Sequence, residues 1–391
     1  MLKRTQTVYF IIMASSLIIL SASCKKHSGS DTGNAGKEVN VYVLGTVNDS
    51  VVCWKNGVAR NIYSQASIIN DIGSSALFAS GNDVYIAGIK PNNNPTIRGA
   101  VPLYWKNDVE ITLHDSTGDA VANSIFVSNN DVYVAGATVY MDTSHVPYST
   151  PSAVYPIAGS VATIWKNGVA QSLSGYGVVG LVNAGQYAVR GYTDFVSSLY
   201  VSGNDVYVAG GSRYWGYNAM YWKNGIATNM SNALTYTANG KTCFPTTTSI
   251  SASGNDVYVA GYQVTGSYST GATAIYWKNG VPVYLTDSIS GTSVARSIFV
   301  SGNDVYIAGY QNINGYARAI IWKNGVPTTL TTGAIASEAN AVFVKENDVY
   351  VAGFQWIING HYIATYWKNG EVVKLTDGTI NNAIANSIYI Q

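Results

Sequence analysis

The sequence is poor in charged residues, which make up 11% of its 391 positions, and its formal net charge is +1. A nucleic-acid-binding surface needs a basic stripe that displaces counterions from phosphates, and no such stripe is present. The four histidines are isolated, and no pair has the H-x-x-x-H spacing of a metal site. Glycine-rich phosphate loops, nucleophile elbows and EF-hand-like calcium runs are also absent. The composition therefore argues against a nucleic-acid partner and indicates no cofactor and no metal.

Cysteine is scarce as well, with three residues in the chain. Cys53 stands where the other repeat units described below have tyrosine or isoleucine, so we expect a small buried apolar residue there. A disulfide between Cys53 and Cys243 is the alternative.

Long hydrophobic runs are lacking, because the apolar run at residues 8–20 is too short to cross a bilayer comfortably. Lys3 and Arg4 precede this run, and S-A-S-C at residues 21–24 follows it. The arrangement resembles a bacterial lipoprotein signal, although the leucine usual three positions before the cysteine is displaced to Leu20. An ordinary secretory signal is the alternative.

The lipoprotein resemblance implies that residues 1–23 are removed and that Cys24 becomes the lipidated first residue. The protein would then be anchored in the cell envelope, at the outer membrane, and would meet the membrane through its lipid alone. Residues 24–38 are polar and glycine-rich, which is typical of a flexible tether.

What the sequence does contain is a repeat that covers residues 39–391. The tetrapeptide W-K-N-G or a near copy occurs seven times, and its partner N-D-V-Y-[VI]-A-G occurs six times, with a degenerate copy at residues 39–45. Each unit has four short runs rich in β-branched and aromatic residues, joined in pairs by Gly-Asn and Asn-Gly, which favour tight hairpin turns. Four-stranded units repeated every ~40–50 residues are typical of β-propeller blades.

The two ends of the repeat region complete each other. Residues 386–390 form a first strand with no second strand after it, whereas the first unit begins at its second strand. Pairing these ends would close a ring and remove two free sheet edges. We therefore predict an all-β fold, a monomeric seven-bladed β-propeller of four-stranded antiparallel blades, closed by the C-terminal strand and three N-terminal strands.

The units resemble kelch-type propeller repeats, in which a hydrophobic strand, a Gly-Asn turn, an apolar-Tyr-apolar strand ending in glycine and a later tryptophan occur in this order. The kelch double glycine is Ala-Gly here, apart from Gly210-Gly211, and the tryptophan precedes its turn. Short bacterial propeller repeats with a G-N-x-Y-[VI]-x-G core are equally similar. Either resemblance implies the fold, and neither implies a chemistry.

The tight turns of every unit lie at one end, here called the turn face, so the longer loops share the opposite long-loop face. Loops on a rigid scaffold commonly carry binding residues. The insertions cluster in units three and four, and their aromatic side chains suit a sugar ring or a protein partner. The aromatic candidates are Tyr192, Tyr214, Trp215, Tyr217 and Trp356. The alternative is that such side chains only pack the loops onto the blades.

A second set of candidates stands just before the apolar pair of each first strand. If the first strand lies nearest the axis, this position lines the mouth of the central channel on the long-loop face. Arg296 is the only charge in the set, and we expect it to receive a carboxylate or an acidic sugar. The alternative is that these residues cap strand ends and bind channel water. The seven residues are Ser75, Asn123, Ser197, Thr248, Arg296, Asn340 and Asn386.

The charges that remain are mostly part of the repeat or of its loops. Each W-K-N-G lysine is expected to approach the aspartate that opens the second strand of its unit, as with Lys323 and Asp304.

Asp142, Asp194 and Glu338 are loop carboxylates that could act as an acid/base pair in glycoside cleavage. Nothing in the sequence brings them together, so we expect each to be solvated.

These features favour a surface-anchored binding or scaffold protein with a glycan or protein ligand on the long-loop face. A hydrolase or lyase acting on polysaccharide is one alternative, so the sequence leaves open whether the protein is an enzyme. A structural propeller without a discrete ligand is another.

Overall fold

The computed structural model describes most of the chain from Val39 onward. Within the described residues the chain forms 28 β-strands in seven four-stranded antiparallel sheets, so the predicted all-β, seven-bladed propeller is confirmed. No helix of this described part is long and apolar enough to cross a membrane. The described residues are 39–48, 50–64, 76–91, 100–113, 120–142, 157–173, 194–212, 218–231, 243–265, 271–286, 291–332, 336–357, 360–379 and 382–391.

The strands follow one another from the inside of each blade to its outer edge. Blade one consists of β28 (Ala383–Ile390), β1 (Val41–Val47), β2 (Ser50–Lys55) and β3 (Val58–Ser64). Blades two and three consist of β4 (Leu77–Ser80), β5 (Asp83–Pro91), β6 (Ala100–Lys106) and β7 (Val109–Thr112), then β8 (Ala120–Ser128), β9 (Asp131–Asp142), β10 (Ile157–Lys166) and β11 (Val169–Ser172).

Blades four to seven have the same order. Blades four and five consist of β12 (Asp194–Ser202), β13 (Asp205–Ser212), β14 (Asn218–Lys223) and β15 (Ile226–Asn229), then β16 (Cys243–Ser253), β17 (Asp256–Thr265), β18 (Ala272–Lys278) and β19 (Val281–Tyr284). Blades six and seven consist of β20 (Ser293–Ser301), β21 (Asp304–Ile313), β22 (Tyr316–Lys323) and β23 (Val326–Thr329), then β24 (Ser337–Lys345), β25 (Asp348–Trp356), β26 (Tyr362–Lys368) and β27 (Glu371–Lys374).

Blade one closes the ring as the sequence predicts. The last strand, β28, pairs antiparallel with β1 from Val41 opposite Ile390 to Val47 opposite Ala383. Beyond the strand ends, Asn40 and Gln391 exchange two backbone hydrogen bonds of 2.8 and 2.9 Å. The first and last repeat units are therefore parts of the same sheet.

The hydrophobic core lies between neighbouring blades. Trp322 and Ile298 of blade six, for example, share a buried cluster with Ala260 and Leu285 of blade five. The tryptophans of all seven W-K-N-G copies are buried, with 0–4% of their surface exposed. A propeller can thus bury apolar surface along a chain of this length without a single large core.

Cys53 belongs to the cluster between blades one and two. It is a free, buried thiol, and burial raises its pKa to about 12. The predicted role as a small apolar residue is confirmed, and the alternative of a disulfide to Cys243 is wrong.

Asparagine and glycine form the tight turns. Asn324 and Gly325 have φ angles of 51° and 82°, so both adopt the left-handed conformation of a type I′ turn. In the turns between first and second strands, the first turn residue is left-handed, as at Gly302 with φ of 59°. Three residues with side chains stand in such glycine positions: Asp108 with φ of 68°, Asn129 with φ of 51° and Glu346 with φ of 55°.

At the turn face, the predicted approach of lysine to aspartate is confirmed in six blades. Lys323 Nζ lies 2.8 Å from Asp304 Oδ2, and the Asn324 amide donates to Oδ1 at 2.7 Å. These hydrogen bonds, chiefly that from Lys323, lower the pKa of Asp304, and the same contact raises the pKa of Lys323. The equivalent pairs are Lys106–Asp83, Lys166–Asp131, Lys223–Asp205, Lys278–Asp256 and Lys368–Asp348.

The first strand of each blade lies nearest the axis, because side chains of successive first strands touch one another. Phe78 of β4 lies 4.6 Å from both Phe126 of β8 and Tyr389 of β28, measured between ring centroids. Six of the seven equivalent positions are aromatic, and they form a belt around the channel. The belt residues are Phe78, Phe126, Tyr200, Phe299, Phe343 and Tyr389.

Candidate functional site

Each inner strand whose long-loop half is described carries a β-bulge. In blade six, Ala295 pairs with Gly309 and Ser297 with Ala308, so Arg296 has no residue opposite it in β21. In every such blade the extra residue is the polar one that the sequence predicts for the channel mouth. These bulge residues are Asn123, Ser197, Thr248, Arg296, Asn340 and Asn386. The seventh position, Ser75, lies outside the described residues.

The glycine of the repeated Ala-Gly pair is required by the bulge. A Cβ atom at Gly309 would lie 2.0 Å from the backbone oxygen of Val294, and one at Gly353 would lie 2.0 Å from that of Glu338. The Trp367 ring covers the other side of Gly353, 3.0 Å from the same Cβ position. Any larger residue would push the bulged strand away, so the motif glycine and the polar residue belong to one structural feature.

Several bulge residues tie neighbouring blades together. A bulge leaves a backbone carbonyl of the inner strand outside the sheet ladder, and the bulge residue of the preceding blade binds it. Asn123 Nδ2 donates to Val196 O at 2.8 Å, and Asn340 Nδ2 donates to Ala385 O at 2.9 Å. Thr248 Oγ1 donates to the carbonyl just before Arg296 at 2.9 Å. These side chains therefore link neighbouring blades, a role that differs from both the ligand binding and the strand-end capping considered from the sequence.

Arg296 differs from the other bulge residues because its partner is a charged side chain. Its Nη2 donates to Glu338 Oε2 of blade seven at 2.5 Å, and its guanidinium lies over the Tyr310 ring, 5.3 Å from the centroid. Burial raises the pKa of the Tyr310 phenol, the Glu338 carboxylate adds to the rise, and Arg296 opposes it. We call Arg296, Tyr310, Glu338 and Asn340 the mouth cluster.

The mouth cluster combines exposed charge with buried polar atoms. The side chains of Arg296 and Glu338 are 39% and 21% exposed. Arg296 Nε and Asn340 Oδ1 are buried, and neither has a hydrogen-bond partner among the described residues. A buried polar atom without a partner is costly unless water or a ligand completes it. The cluster therefore has unused hydrogen-bonding capacity at the channel mouth.

Exposed aromatic side chains lie at the long-loop ends of blades six and seven. Trp356 ends β25, the strand next to Glu338, and its backbone N–H donates to Ala336 O at 2.8 Å. Trp356 is 44% exposed, and its ring meets the Tyr362 ring edge-on at 5.2 Å between centroids. Tyr316 of blade six, 49% exposed, stands at the tip of the neighbouring hairpin. Trp356 is thus an exposed aromatic residue held by a second ring.

The aromatic belt lies below the mouth, three residues after each bulge residue, and was not predicted from the sequence. Burial raises the pKa of the Tyr389 phenol to about 12 and also raises that of Tyr200. The seventh belt position is Ser251, which is buried and accepts the Val300 N–H at 3.3 Å. The belt therefore surrounds the channel with neighbouring aromatic rings. The aromatic residue three positions after the polar one, in six of seven units, was the available signal.

The structure corrects the expectation that the loop carboxylates are all solvated. Asp194 opens β12 and is only 4% exposed. It faces the Ala162 N–H of blade three, as Ser293 and Ser337 face Ala274 and Ala319 N–H groups elsewhere. Burial raises its pKa, although contacts with Ser212 and Ala162 partly oppose the rise.

The remaining carboxylates do not join Asp194. Glu338 lies in blade seven and pairs with Arg296 instead of facing solvent alone. The side chain of Asp142, at the end of β9, is outside the described residues, as are Tyr192, Tyr214, Trp215, Tyr217 and Cys24. Within the described ranges, no group of three or more His, Cys, Asp or Glu side chains could hold a metal ion.

The fold defines the class of protein: a closed seven-bladed β-propeller. No family model matches the sequence, and no curated protein does, so the kelch likeness of the repeats stays a resemblance. Among solved structures, the chain is similar to an acylaminoacyl peptidase from Pyrococcus horikoshii, with 13% identity and a TM-score of 0.48. The aligned region covers 88% of this chain and 52% of that one, so the chain spans about half the length of the peptidase.

Two further solved structures are similar to this chain. The β-propeller domain of the Trilobed protease from Pyrococcus furiosus has 11% identity and a TM-score of 0.46, with 88% of this chain and 96% of that one covered. A putative TolB from Agrobacterium tumefaciens has 8% identity and a TM-score of 0.38, with 91% and 99% covered. Likeness at these levels says nothing about ligand or chemistry.

Proposed function

We propose that this chain is a binding protein of the cell envelope that recognises carbohydrate through its long-loop face. The observation that carries the proposal is the exposed Trp356 ring, braced by Tyr362, at the end of the strand that pairs with the Glu338 strand. Sugars have apolar faces that stack on such rings and hydroxyl edges that need paired donors and acceptors. The Arg296–Glu338 pair supplies both kinds of group.

The proposal includes a lipid anchor at Cys24 in the outer membrane. The S-A-S-C run at residues 21–24, which resembles a lipoprotein signal, supports this part of the proposal. Cys24→Ala is expected to move the protein from the membrane fraction to the soluble fraction. Retention of this variant in the membrane fraction would contradict the anchor.

The binding proposal is tested with the full chain in mild detergent and a panel of soluble polysaccharides and their oligomers. A ligand at 100 times its dissociation constant stabilises the folded state by about 2.7 kcal/mol. For a chain of this size that corresponds to roughly 2 °C in melting temperature, so replicate scans are needed. A reproducible shift with one class of glycan is the expected result.

Trp356→Ala is expected to weaken the observed binding by at least about tenfold, or 1.4 kcal/mol, because the stacking surface is lost. Val326→Ala, which trims an exposed residue at the turn face, serves as the control and is expected to change nothing. Equal binding by Trp356→Ala and the original protein would contradict the proposed site. Released products in the supernatants would instead favour the hydrolase or lyase alternative, and binding to protein alone would favour a protein partner.

A further inference from the structure

Among the bulge residues and the residues two positions before them, one side chain is positively charged and one is negatively charged. At these two levels of the channel, Arg296 and Glu338 are the only charged residues among those described. They form one ion pair across blades six and seven. The channel mouth is therefore polar, with no net charge at these levels.

Glu338 changes what Arg296 can bind. The sequence alone predicted that Arg296 would receive a carboxylate or an acidic sugar, but in the structure its Nη2 already donates to Glu338. A second carboxylate at the guanidinium would lie next to Glu338, and like charges at such short range repel. An anionic ligand must therefore displace Glu338 or accept that repulsion.

An uncharged sugar is not repelled by Glu338. Each hydroxyl both donates and accepts, so neighbouring hydroxyls can accept from Arg296 and donate to Glu338 without separating the pair. The Tyr310 ring under the guanidinium holds it in place, and the aromatic belt below offers apolar surface. The Arg296–Glu338 ion pair therefore stays intact when such a ligand binds.

We propose that the channel mouth selects uncharged sugars over uronic acids and other anions, and that Glu338 is the residue that sets this preference. This inference rests on the proposed carbohydrate-binding function, which it deepens. Glu338 acts as a specificity-determining residue by occupying the side of Arg296 that an anion would need.

The test uses pairs of probes that differ only in charge: galactose and galacturonic acid oligomers of equal length, with the corresponding glucose and mannose pairs. Affinities are measured by isothermal titration calorimetry with the full chain in mild detergent. The expected result is that the uncharged member of one pair binds at least tenfold more tightly than its uronic acid partner. Glu338→Gln is expected to shift that ratio by at least tenfold toward the uronic acid, and salt should weaken the gained binding.

Two further variants make the test specific. Glu371→Gln changes an exposed glutamate on β27 at the turn face and is expected to leave the ratio unchanged. Arg296→Gln combined with Glu338→Gln is expected to lose the gained uronic acid binding. Circular dichroism melting curves establish that each variant is folded.

The outcomes separate the inference from the function on which it rests. Tight uronic acid binding by the original protein, or an unchanged ratio in folded Glu338→Gln, overturns the charge preference while carbohydrate binding stands. Absence of binding to every oligomer by both the original protein and Glu338→Gln overturns both.

Discussion

At the scale of single residues, the two repeated glycines are required for different reasons. The glycine of the Ala-Gly motif leaves room for a neighbouring backbone atom, whereas the glycine of the W-K-N-G turn adopts a left-handed backbone conformation. Gly309 faces the Val294 carbonyl, which a Cβ atom would meet at 2.0 Å. Gly325 has φ of 82°, and no atom lies within 4 Å of its Cβ position. The two glycines lie in the same blade, but a side chain would be unfavourable through a steric clash at Gly309 and through the backbone conformation at Gly325.

Alanine substitutions at these two positions should therefore lower the free energy of unfolding by different amounts. Gly309→Ala is expected to lower the free energy of unfolding by about 3 kcal/mol or more, because strand β20 must move. Gly325→Ala is expected to cost about 1–2 kcal/mol, the penalty for a left-handed residue with a Cβ. Urea denaturation with both slope and midpoint fitted measures the two values. Equal losses would mean that the backbone oxygen at Gly309 moves away easily.

Asp194 gives a prediction that depends on pH. Its pKa is raised by burial in the folded protein, so unfolding releases its proton at pH values between the unfolded and folded pKa. The free energy of unfolding therefore falls as pH rises through that window. Asp194→Asn removes the charge, and its amide nitrogen can donate to the Ser212 hydroxyl.

Asp194→Asn is expected to raise the free energy of unfolding at pH 7 by on the order of 1 kcal/mol, and the gain should vanish below the unfolded pKa of Asp. Denaturant titrations at pH 7 and pH 3.5 check this. Ser293→Ala tests the equivalent position in blade six, which does not titrate, and its effect should be independent of pH. A gain at pH 7 that persists at pH 3.5 would rule out the charge as its cause.

At the scale of strands and turns, the hairpin between β24 and β25 departs from the repeat. Glu346 is exposed and has φ of 55° where blades two, four, five and six have glycine. A side chain in the left-handed region costs about 1–2 kcal/mol, partly offset because glycine loses more conformational entropy on folding. We therefore expect Glu346→Gly to stabilise the fold by roughly 0.5–1 kcal/mol.

The reverse change in another blade is the matched control for the β24–β25 hairpin. Gly302→Glu places the same side chain in the same kind of turn in blade six, where φ is 59° and no atom lies within 4 Å of the Cβ position. It is expected to destabilise by a similar amount, read from the midpoints of urea curves. Changes of the same sign in both variants would show that the glutamate has contacts that matter more than φ.

The repeat made the elements predictable, because hairpin turns, pleated strands and ion pairs are local and recur in register. Lys323 approaches Asp304 simply because their strands are neighbours and antiparallel. The position of Arg296 at the mouth was also predictable from its place before the apolar pair. Its pairing with Glu338 was not, since the two residues meet across blades through a bulge that strand propensity does not reveal. The burial of Asp194 was not predictable either, because it depends on contact with the neighbouring blade.

At the scale of the whole molecule, the ring has a seam where β28 meets β1. Elsewhere in the described ring, the inner strand and its neighbour in the same blade are joined directly by a two-residue turn, so a weakened pair stays together. At the seam the two strands come from opposite ends of the repeat region and are held by their ladder and side chains alone. Gly45 lies in this ladder, and a Cβ atom there would meet the Ile384 oxygen at 1.9 Å.

Gly45→Ala and Gly309→Ala therefore introduce nearly the same clash with different consequences. In Gly309→Ala the β20–β21 hairpin keeps the strands together, so the protein should lose stability and keep the oligomeric state of the original protein. In Gly45→Ala, β28 is expected to detach, which exposes the inner edge of β1 and removes Tyr389 from the aromatic belt. Unpaired edges associate with other chains, so this variant should form oligomers that increase with concentration.

Size-exclusion chromatography with light scattering over a concentration series measures the association of both variants, and limited proteolysis reports whether residues 383–391 are released. The predicted result is early cleavage of the C-terminal strand in Gly45→Ala and protection of it in Gly309→Ala. A Gly45→Ala protein that stays monomeric with a protected C-terminal strand would show that the belt and the blade faces hold β28 without the ladder. In that case the stability of the ring would come from packing between blades rather than from strand pairing at the seam.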